Sequence, residues 1–204
     1  MYSDFLLREK TGADFESFHA TFQRINTELW SLYDKGLIDR SVIRKNRFLS
    51  ILESFGAGDQ KLSEHLSDAY ISRSPQKGHL IEGAKELLLA LNEKLPLFIV
   101  TNGFEEVQYQ KVRCSGLEGF FREVVISEKI GHKKPSREIF DHIMGKHGLS
   151  HHESIMIGDN LLTDIAGAKN AGIDSVYFNP EKNPHDSSMT YEIGHLLELR
   201  SILG

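Results

Sequence analysis

Cysteine is nearly absent from the chain: Cys114 is the only one among 204 residues, so no internal disulfide can form. A single thiol fits a reducing compartment, and we expect it to be a core residue rather than a nucleophile. The sequence also lacks the run of roughly 18 apolar residues that a membrane-spanning helix requires, and MYSDFLLREK lacks the apolar length of a signal peptide. These absences predict a cytoplasmic protein.

Basic residues are not in excess either. The chain has 24 Lys and Arg against 29 Asp and Glu, a formal net charge of -5, so the charge balance does not indicate a surface for nucleic acid or a membrane. Hydrophobic residues make up 40% and charged residues 26%, which is typical of folded rather than disordered chains. We expect a small-molecule partner, and either a monomer or a homodimer.

Helical periodicity is the only pattern in residues 14–74. Apolar residues recur there at steps of three and four positions, the spacing of one helix face. The positions with this spacing are Phe15, Phe18, Phe22, Ile25, Leu29, Leu32, Val42, Phe48, Leu49 and Leu52. We therefore predict an all-α domain over 1–76.

From Gly78 onward, predicted helices alternate with short strands rich in Ile and Val. The strands lie in PLFIVTNG, REVVISEKI, ESIMIGDN and DSVYFNP, and the helices in IEGAKELLLALNEK, EEVQYQKVRCSG, SREIFDHIMGKHG, LTDIAGAKNAG and GHLLELRSIL. Continuous apolar strands of this kind are buried on both faces of a parallel sheet. The alternation predicts a doubly wound, Rossmann-like α/β domain over 77–204.

Polar residues follow three of these strands, at the edge where open parallel sheets bind ligands. Thr101, Asn102 and Gly103 follow LFIV. A hydroxyl followed by two backbone N–H groups suits a phosphoryl oxygen, and Gly103 would allow close approach. An ordinary strand-to-helix turn is the alternative reading of the same three residues.

A lysine and two aspartates complete the polar sets. Lys134 stands directly before Pro135, where a rigidly held ammonium would neutralise phosphate or an acidic nucleophile; a solvated basic loop is the alternative. Asp159 and Asp164 lie in MIGDNLLTDIAGAKNAG, at a strand end and one helical turn later. Their carboxylates suit Mg²⁺, although helix capping and the helix dipole also favour aspartate at these positions.

These sets, in this order, resemble motifs two, three and four of the haloacid dehalogenase superfamily of phosphohydrolases. The resemblance implies a Rossmann-like core with an α-helical cap, and a Mg²⁺-dependent phosphomonoester hydrolase. It assigns Thr101, Asn102 and Gly103 to the phosphoryl oxygens, with Thr101 and Lys134 as catalytic residues. It assigns Asp159 to direct metal contact and Asp164 to contact through water.

The first motif of that superfamily is missing. The family mechanism uses Asp-x-Asp after a buried strand, where the first Asp forms an aspartyl phosphate and the second transfers protons. In this chain neither Asp4 nor Asp14 follows such a strand. In the family fold the absent strand lies between those ending at Thr101 and Asp159. We therefore expect that an N-terminal segment is missing, that Met1 is an internal methionine, and that the chain as written is inactive.

The helical half carries a narrower resemblance. INTELWSLYDKGLI and the later NRF resemble the cap of nucleoside 5′-monophosphatases that act on pyrimidine and non-standard nucleotides. Candidate base or sugar contacts are Asn26, Trp30, Arg47 and Phe48. Core packing is the alternative for Trp30 and Phe48, and a surface ion pair is the alternative for Arg47.

Three other functions remain open at this stage. The first is a non-catalytic phosphate-binding protein that has kept the pocket and lost the nucleophile. The second is a phosphoglucomutase of the same superfamily, which uses the same motifs. The third is a 2-haloacid dehalogenase, which works without metal; the paired aspartates Asp159 and Asp164 favour the Mg²⁺-using branches over it.

Overall fold

The computed structural model describes residues 1–204, which divide into two compact units, Met1–Pro75 and Gln76–Gly204. The first unit is entirely helical, as predicted. Its helices are α1 (Leu7–Thr11), α2 (Phe15–Asp34), α3 (Arg40–Ser54) and α4 (Gln60–Arg73). None of the helices in the structure has the length and apolar character that crossing a bilayer would require.

An aspartate begins each of the three long helices of this unit. The carboxylate of Asp14 accepts a hydrogen bond from the Ser17 N–H, and Asp39 and Asp59 cap α3 and α4 in the same way. Such caps satisfy backbone N–H groups that the first helical turn leaves unpaired. The helix starts are therefore set locally by the sequence.

The apolar faces of these helices form one core. Its fully or nearly buried members are Leu7, Phe18, Ile25, Phe48, Ile51, Leu52 and Leu66. Four positions of the predicted apolar stripe lie outside it: Phe15 is 52% exposed, Leu32 is 38% exposed, and Val42 and Leu49 are half-buried without belonging to this cluster. The apolar stripe predicted from the sequence therefore includes more residues than the core buries.

The second unit alternates strands and helices. Its strands are β1 (Phe98–Thr101), β2 (Glu123–Ile126), β3 (Ile155–Gly158), β4 (Asp174–Phe178) and β5 (Tyr191–Ile193). Its helices are α5 (Ala84–Leu91), α6 (Glu105–Cys114), α7 (Ser127–Ile130), α8 (Glu138–His147), α9 (Ala166–Ala171) and α10 (Leu199–Leu203). This is the predicted α/β architecture.

Several local predictions need correction. The SEKI segment forms α7 instead of continuing a strand and loop, and a π-helical turn, Leu161–Ile165, precedes α9. Strand β5 was missed, because a three-residue strand with two exposed residues has too short a pattern to recognise. Cys114 was expected in the core and is exposed, since it ends α6, a helix that buries no residue.

The strands form two parallel sheets instead of one. Strand β1 pairs only with β2, with Val100 opposite Val125, and the second sheet has the order β3-β4-β5, with Ile157 opposite Val176. The outer edges of β1 and β3 therefore have no strand partner. This interruption lies where the sequence predicted an absent strand.

Helices cover both faces of the interrupted sheet. On one face, Phe98 and Val100 of β1 and Met156 of β3 pack against a cluster formed largely by α8 and α9. On the other face, Ile155 and Ile157 of β3 pack against a cluster that includes α5 and α10. The side chains of β1 and β3 are thus held between two apolar layers, although the strand edges remain open.

Candidate active site

Two loops at the carboxyl ends of the strands are fastened to each other through Asn102 and Lys134. The Asn102 side-chain amide donates to the Lys134 carbonyl, and the Lys134 backbone N–H donates to Asn102 Oδ1, both at 2.9 Å. Both residues are buried, so this reciprocal pair is shielded from competing water. The Lys134–Pro135 peptide bond that follows is cis. The structure thus brings together two of the three predicted sets.

The Lys134 ammonium joins the third set to the other two. Its Nζ atom donates to Asp164 Oδ1 at 2.6 Å and to the Val100 carbonyl at 2.7 Å. The lysine and aspartate side chains are only 10% and 7% exposed. Asp164 Oδ2 also accepts from the Asn160 backbone N–H at 3.1 Å. A buried, charge-assisted pair of this geometry fixes both side chains in one position.

Glycine is required at position 158 by the approach of Asp164. A Cβ atom at this position would stand 2.5 Å from the Cβ and Cγ atoms of Asp164, a distance that real contacts do not show. The last residue of β3 therefore has no side chain so that the aspartate can fold back over the strand end. The sequence signal for this arrangement is a glycine directly before the first of two spaced aspartates.

Within the segment Thr101, Asn102 and Gly103, one backbone N–H group already has a hydrogen-bond partner. The Gly103 N–H donates to Thr101 Oγ1 at 3.0 Å, and Asn102 is held by the Lys134 loop. When the threonine oxygen accepts this bond, its own proton is free to point elsewhere. The hydroxyl of Thr101 is then available as a donor to a phosphoryl oxygen. The Gly103 N–H could bind such an oxygen only after its hydrogen bond to the Thr101 hydroxyl breaks.

The two aspartates differ in their surroundings. Asp159 is exposed and forms no hydrogen bond or ion pair, whereas Asp164 is committed to Lys134 and Asn160. No group of three or more His, Cys, Asp or Glu side chains is placed to hold a metal ion. Mg²⁺ commonly binds one or two protein carboxylates and completes its shell with water and substrate phosphate. The exposed carboxylate of Asp159 could supply one such ligand, because it is not engaged elsewhere in the protein, whereas both oxygens of Asp164 already accept hydrogen bonds.

The candidate residues of the helical unit separate into packing and polar groups. Phe48 is 3% exposed within the core, with its ring 5.9 Å from that of Phe22, and the Trp30 ring stands edge-on to Tyr33 at 5.6 Å. These contacts favour core packing for Phe48, whereas Trp30 is half-buried and its ring contact is with a residue one turn along its own helix. Arg47, by contrast, does not form the surface ion pair considered above, because it is 7% exposed.

Arg47 is a buried cation without a hydrogen-bond partner. Its guanidinium carbon lies 4.8 Å above the centre of the Tyr70 ring, and its Nε atom is buried and unpaired. Burial lowers the pKa of this guanidinium, against the smaller opposing effect of Tyr70. Asn26 Oδ1 is also buried and unpaired. Leaving a buried polar group without a partner costs stability.

Replacing Arg47 with methionine should therefore stabilise the helical unit by about 1 to 3 kcal/mol, because an apolar side chain of similar length needs no counterion or acceptor. Trp30 is the only tryptophan and lies in this unit, so its fluorescence during urea denaturation reports the change. Lys45→Met on the same helix is the control, since Lys45 is exposed and should show little change. A loss of stability in Arg47→Met would show that the stacking on Tyr70 outweighs the cost of burying the charge.

Together the fold and the site define a class: a doubly wound α/β protein with a helical unit, whose strand-end loops hold a buried lysine beside two aspartates. The chain belongs to the haloacid dehalogenase-like hydrolase family, whose profile matches residues 16–178.

Named relatives span most of the chain. HAD-hydrolase YfnB of Bacillus subtilis is 35% identical over 189 residues, covering 90% of this chain and 79% of its own. Pyrimidine 5′-nucleotidases PynA of Streptococcus pneumoniae and YjjG of Escherichia coli are 32% and 31% identical; the alignments cover 92% and 95% of this chain and 80% and 84% of theirs. The magnesium-bound crystal structure of YfnB superposes with a TM-score of 0.87 at 32% identity, covering 97% of this chain and 87% of that one.

Proposed function

We propose that this chain carries the phosphate and Mg²⁺ site of a cytoplasmic phosphomonoester hydrolase for pyrimidine nucleoside 5′-monophosphates. The observation that carries the proposal is the buried Lys134–Asp164 pair beside the unpartnered carboxylate of Asp159. Two relatives named as pyrimidine 5′-nucleotidases support the substrate class, and the magnesium-bound neighbour supports the metal.

Each residue of the site has a role in this proposal. Lys134 supplies the positive charge that attracts the phosphate, and the fixed position of its ammonium avoids reorganisation during the reaction. Thr101 donates its hydroxyl proton to a phosphoryl oxygen, and the backbone at Asn102 and Gly103 lies alongside. Mg²⁺ held by Asp159, with Asp164 behind it, would offset charge on the phosphoryl group.

Arg47 and Asn26 are the proposed contacts for the leaving nucleoside. The proposal for these two residues rests on the resemblance of INTELWSLYDKGLI and NRF to the helical domain of nucleoside 5′-monophosphatases and on the relatives named as pyrimidine 5′-nucleotidases, because the buried Arg47 Nε and Asn26 Oδ1 atoms have no surface that a ligand could reach. Holding such groups ready in a buried position costs stability, as the Arg47→Met experiment would measure. Trp30 and Phe48 support this surface through packing.

The covalent step has no residue to perform it within 1–204. The nucleophile and proton-transfer aspartates of the family would follow a buried strand, and none of the five strands ends in Asp-x-Asp. Binding without turnover is therefore the behaviour proposed for the isolated chain. It is also what a non-catalytic phosphate-binding protein would do, and the absent motif is the observation that favours that second function.

Substitution of Asp159 tests the metal assignment. Asp159→Asn should leave stability in metal-free buffer almost unchanged, because the carboxylate has no partner in the protein. In the unsubstituted chain, Mg²⁺ at about ten times its dissociation constant should raise the unfolding midpoint by about 3 °C, and the variant should lose this rise. Asp68→Asn, an exposed position of the helical unit, is the matched control.

Nucleotide binding and turnover complete the test. Calorimetric titration with uridine 5′-monophosphate in the presence of Mg²⁺ should show binding that inorganic phosphate displaces, and an assay for released phosphate should show none. Mg²⁺-dependent release at ordinary enzyme rates would contradict the proposed lack of a nucleophile. A Mg²⁺ response that survives in Asp159→Asn would contradict the metal site.

A further inference from the structure

The side-chain amide of Gln108 lies against Gly103, in the segment proposed to hold a phosphoryl oxygen. Its Nε2 atom fills the space in which a Cβ atom of residue 103 would stand, and its Cδ atom lies 2.7 Å from that point. Thr101 Oγ1 lies 3.1 Å from the same point. The amide nitrogen of Gln108 and the hydroxyl of Thr101 are therefore neighbours on one face of Gly103.

Helix geometry explains how Gln108 reaches this position. Helix α6 begins at Glu105, and the backbone N–H of Gln108 donates to the Phe104 carbonyl at 3.0 Å, one turn into the helix. Side chains of a helix point toward its N-terminus, so the long side chain of Gln108 extends back over the residues that precede α6. Glycine at position 103 leaves room for the amide because it has no side chain.

The Gln108 amide has no hydrogen-bond partner in the protein, although the residue is half-buried. Two backbone donors near it are already engaged. The Gly103 N–H donates to Thr101 Oγ1, and the Glu105 N–H donates to Glu128 Oε2 at 3.1 Å. The hydroxyl proton of Thr101 and the two side-chain N–H groups of Gln108 are therefore left as donors.

A phosphoryl group suits this arrangement because its oxygens only accept hydrogen bonds and must be met by several donors. The Lys134 ammonium donates to Asp164 and to the Val100 carbonyl, which leaves one of its three N–H groups for a ligand. Gln108 adds two uncharged donors on the Thr101 side. Its carbonyl oxygen lies farther from Gly103 than its nitrogen does, so the donor end of the amide is the end nearest to the segment.

We propose that Gln108 is a further phosphate-binding residue, whose side-chain amide donates to a phosphoryl oxygen beside the Thr101 hydroxyl. The contact requires glycine at position 103, because a side chain there would take the place of the amide. This inference rests on the proposed function, since it adds one residue to the same phosphate site.

Replacing Gln108 with methionine tests the contact, because methionine has a similar length and no donor. Calorimetric titration of the full chain with inorganic phosphate in the presence of Mg²⁺ should show about tenfold weaker binding, the loss expected for one hydrogen bond to a charged group. Gln108→Glu should bind more weakly still, because its carboxylate repels phosphate. Without phosphate, both variants should unfold at the same temperature as the unsubstituted chain, since the amide has no partner in the protein.

Gln110→Met is the matched control. Gln110 lies on the same helix and is also half-buried, but two positions along a helix place its side chain on a different face from Gln108. Its phosphate affinity should equal that of the unsubstituted chain. An equal loss of affinity in Gln110→Met and Gln108→Met would show a general effect of altering α6 and would overturn the inference.

The side-chain amide signals in nuclear magnetic resonance spectra give a second, independent measurement. The pair of N–H signals that Gln108→Met abolishes identifies the Gln108 amide, and Gln110→Met identifies the control amide in the same way. In the isotope-labelled unsubstituted chain, phosphate should shift the Gln108 pair and leave the Gln110 pair in place. A role in packing alone would not move the Gln108 signals.

The possible outcomes separate this inference from the proposed function. Absence of phosphate binding by the unsubstituted chain would overturn the proposed function and this inference with it. Phosphate binding that Gln108→Met leaves unchanged would overturn the inference alone. Weaker binding by Gln108→Met, with Gln108 signals that do not respond to phosphate, would also overturn it, because the amide would then act without contacting the ligand.

Discussion

Replacing Lys134 with methionine is expected to lower the free energy of unfolding of the α/β unit by about 3 to 5 kcal/mol. The substitution removes the ammonium that lies 2.6 Å from Asp164 Oδ1 and leaves a 7%-exposed carboxylate without a counterion. It also removes the hydrogen bond to the Val100 carbonyl. Urea denaturation followed by circular dichroism would measure the loss.

An exposed ion pair provides the control for this experiment. Lys129 donates to Glu105 at 3.0 Å, yet the two side chains are 50% and 45% exposed, so Lys129→Met should change stability little. The double variant Lys134→Met, Asp164→Asn should recover part of the loss, because the stranded charge is then gone. Equal effects of Lys134→Met and Lys129→Met would show that the buried pair contributes no more than a surface contact.

Adding one methyl group at Gly158 is expected to lower stability by about 3 kcal/mol. The new Cβ atom would lie within 2.5 Å of the Asp164 side chain, which is itself held by Lys134 and by the Asn160 N–H. The clash cannot be relieved by a small rotation, so either β3 moves or the ion pair breaks. The same substitution should therefore also weaken phosphate binding.

Gly103→Ala is the matched variant at the end of β1. A Cβ atom there would meet the far end of the flexible Gln108 side chain, with its Cδ atom at 2.7 Å, and this side chain can swing away. We expect a much smaller loss of stability than for Gly158→Ala. Thermal unfolding of both variants gives the comparison, and a loss for Gly103→Ala as large as that for Gly158→Ala would contradict this account of Gly158.

The sequence predicted the architecture well because its signals are local. Helical spacing over 14–74 and alternating Ile- and Val-rich runs after Gly78 are repeated many times, so errors at single residues such as Phe15 do not alter the conclusion. The missing strand was predicted differently, from the resemblance to a family fold that has a strand between those ending at Thr101 and Asp159, and the structure leaves β1 and β3 in separate sheets there. Element ends were less predictable, as α7 and the π-helical turn Leu161–Ile165 demonstrate.

Side-chain partnerships were the part that the sequence could not supply. Asn102 and Lys134 are 32 positions apart, and the two hydrogen bonds between the Asn102 side chain and the Lys134 backbone depend on how two loops meet in space. Arginine is usually exposed, so the sequence favoured a surface position for Arg47. Only the structure shows that its guanidinium is buried and packs against Tyr70. The prediction for Cys114 was wrong in the opposite sense, because this residue was expected in the core and is exposed.

The two open strand edges also bear on how the isolated chain behaves at high concentration. Each edge offers main-chain donors and acceptors flanked by apolar side chains, which is the combination that promotes association between copies in the absence of protective charge or proline. The edge strands Phe98–Thr101 and Ile155–Gly158 contain no charged residue and no proline. Association between folded copies, rather than unfolding of single copies, would then limit the concentration at which the chain stays in solution.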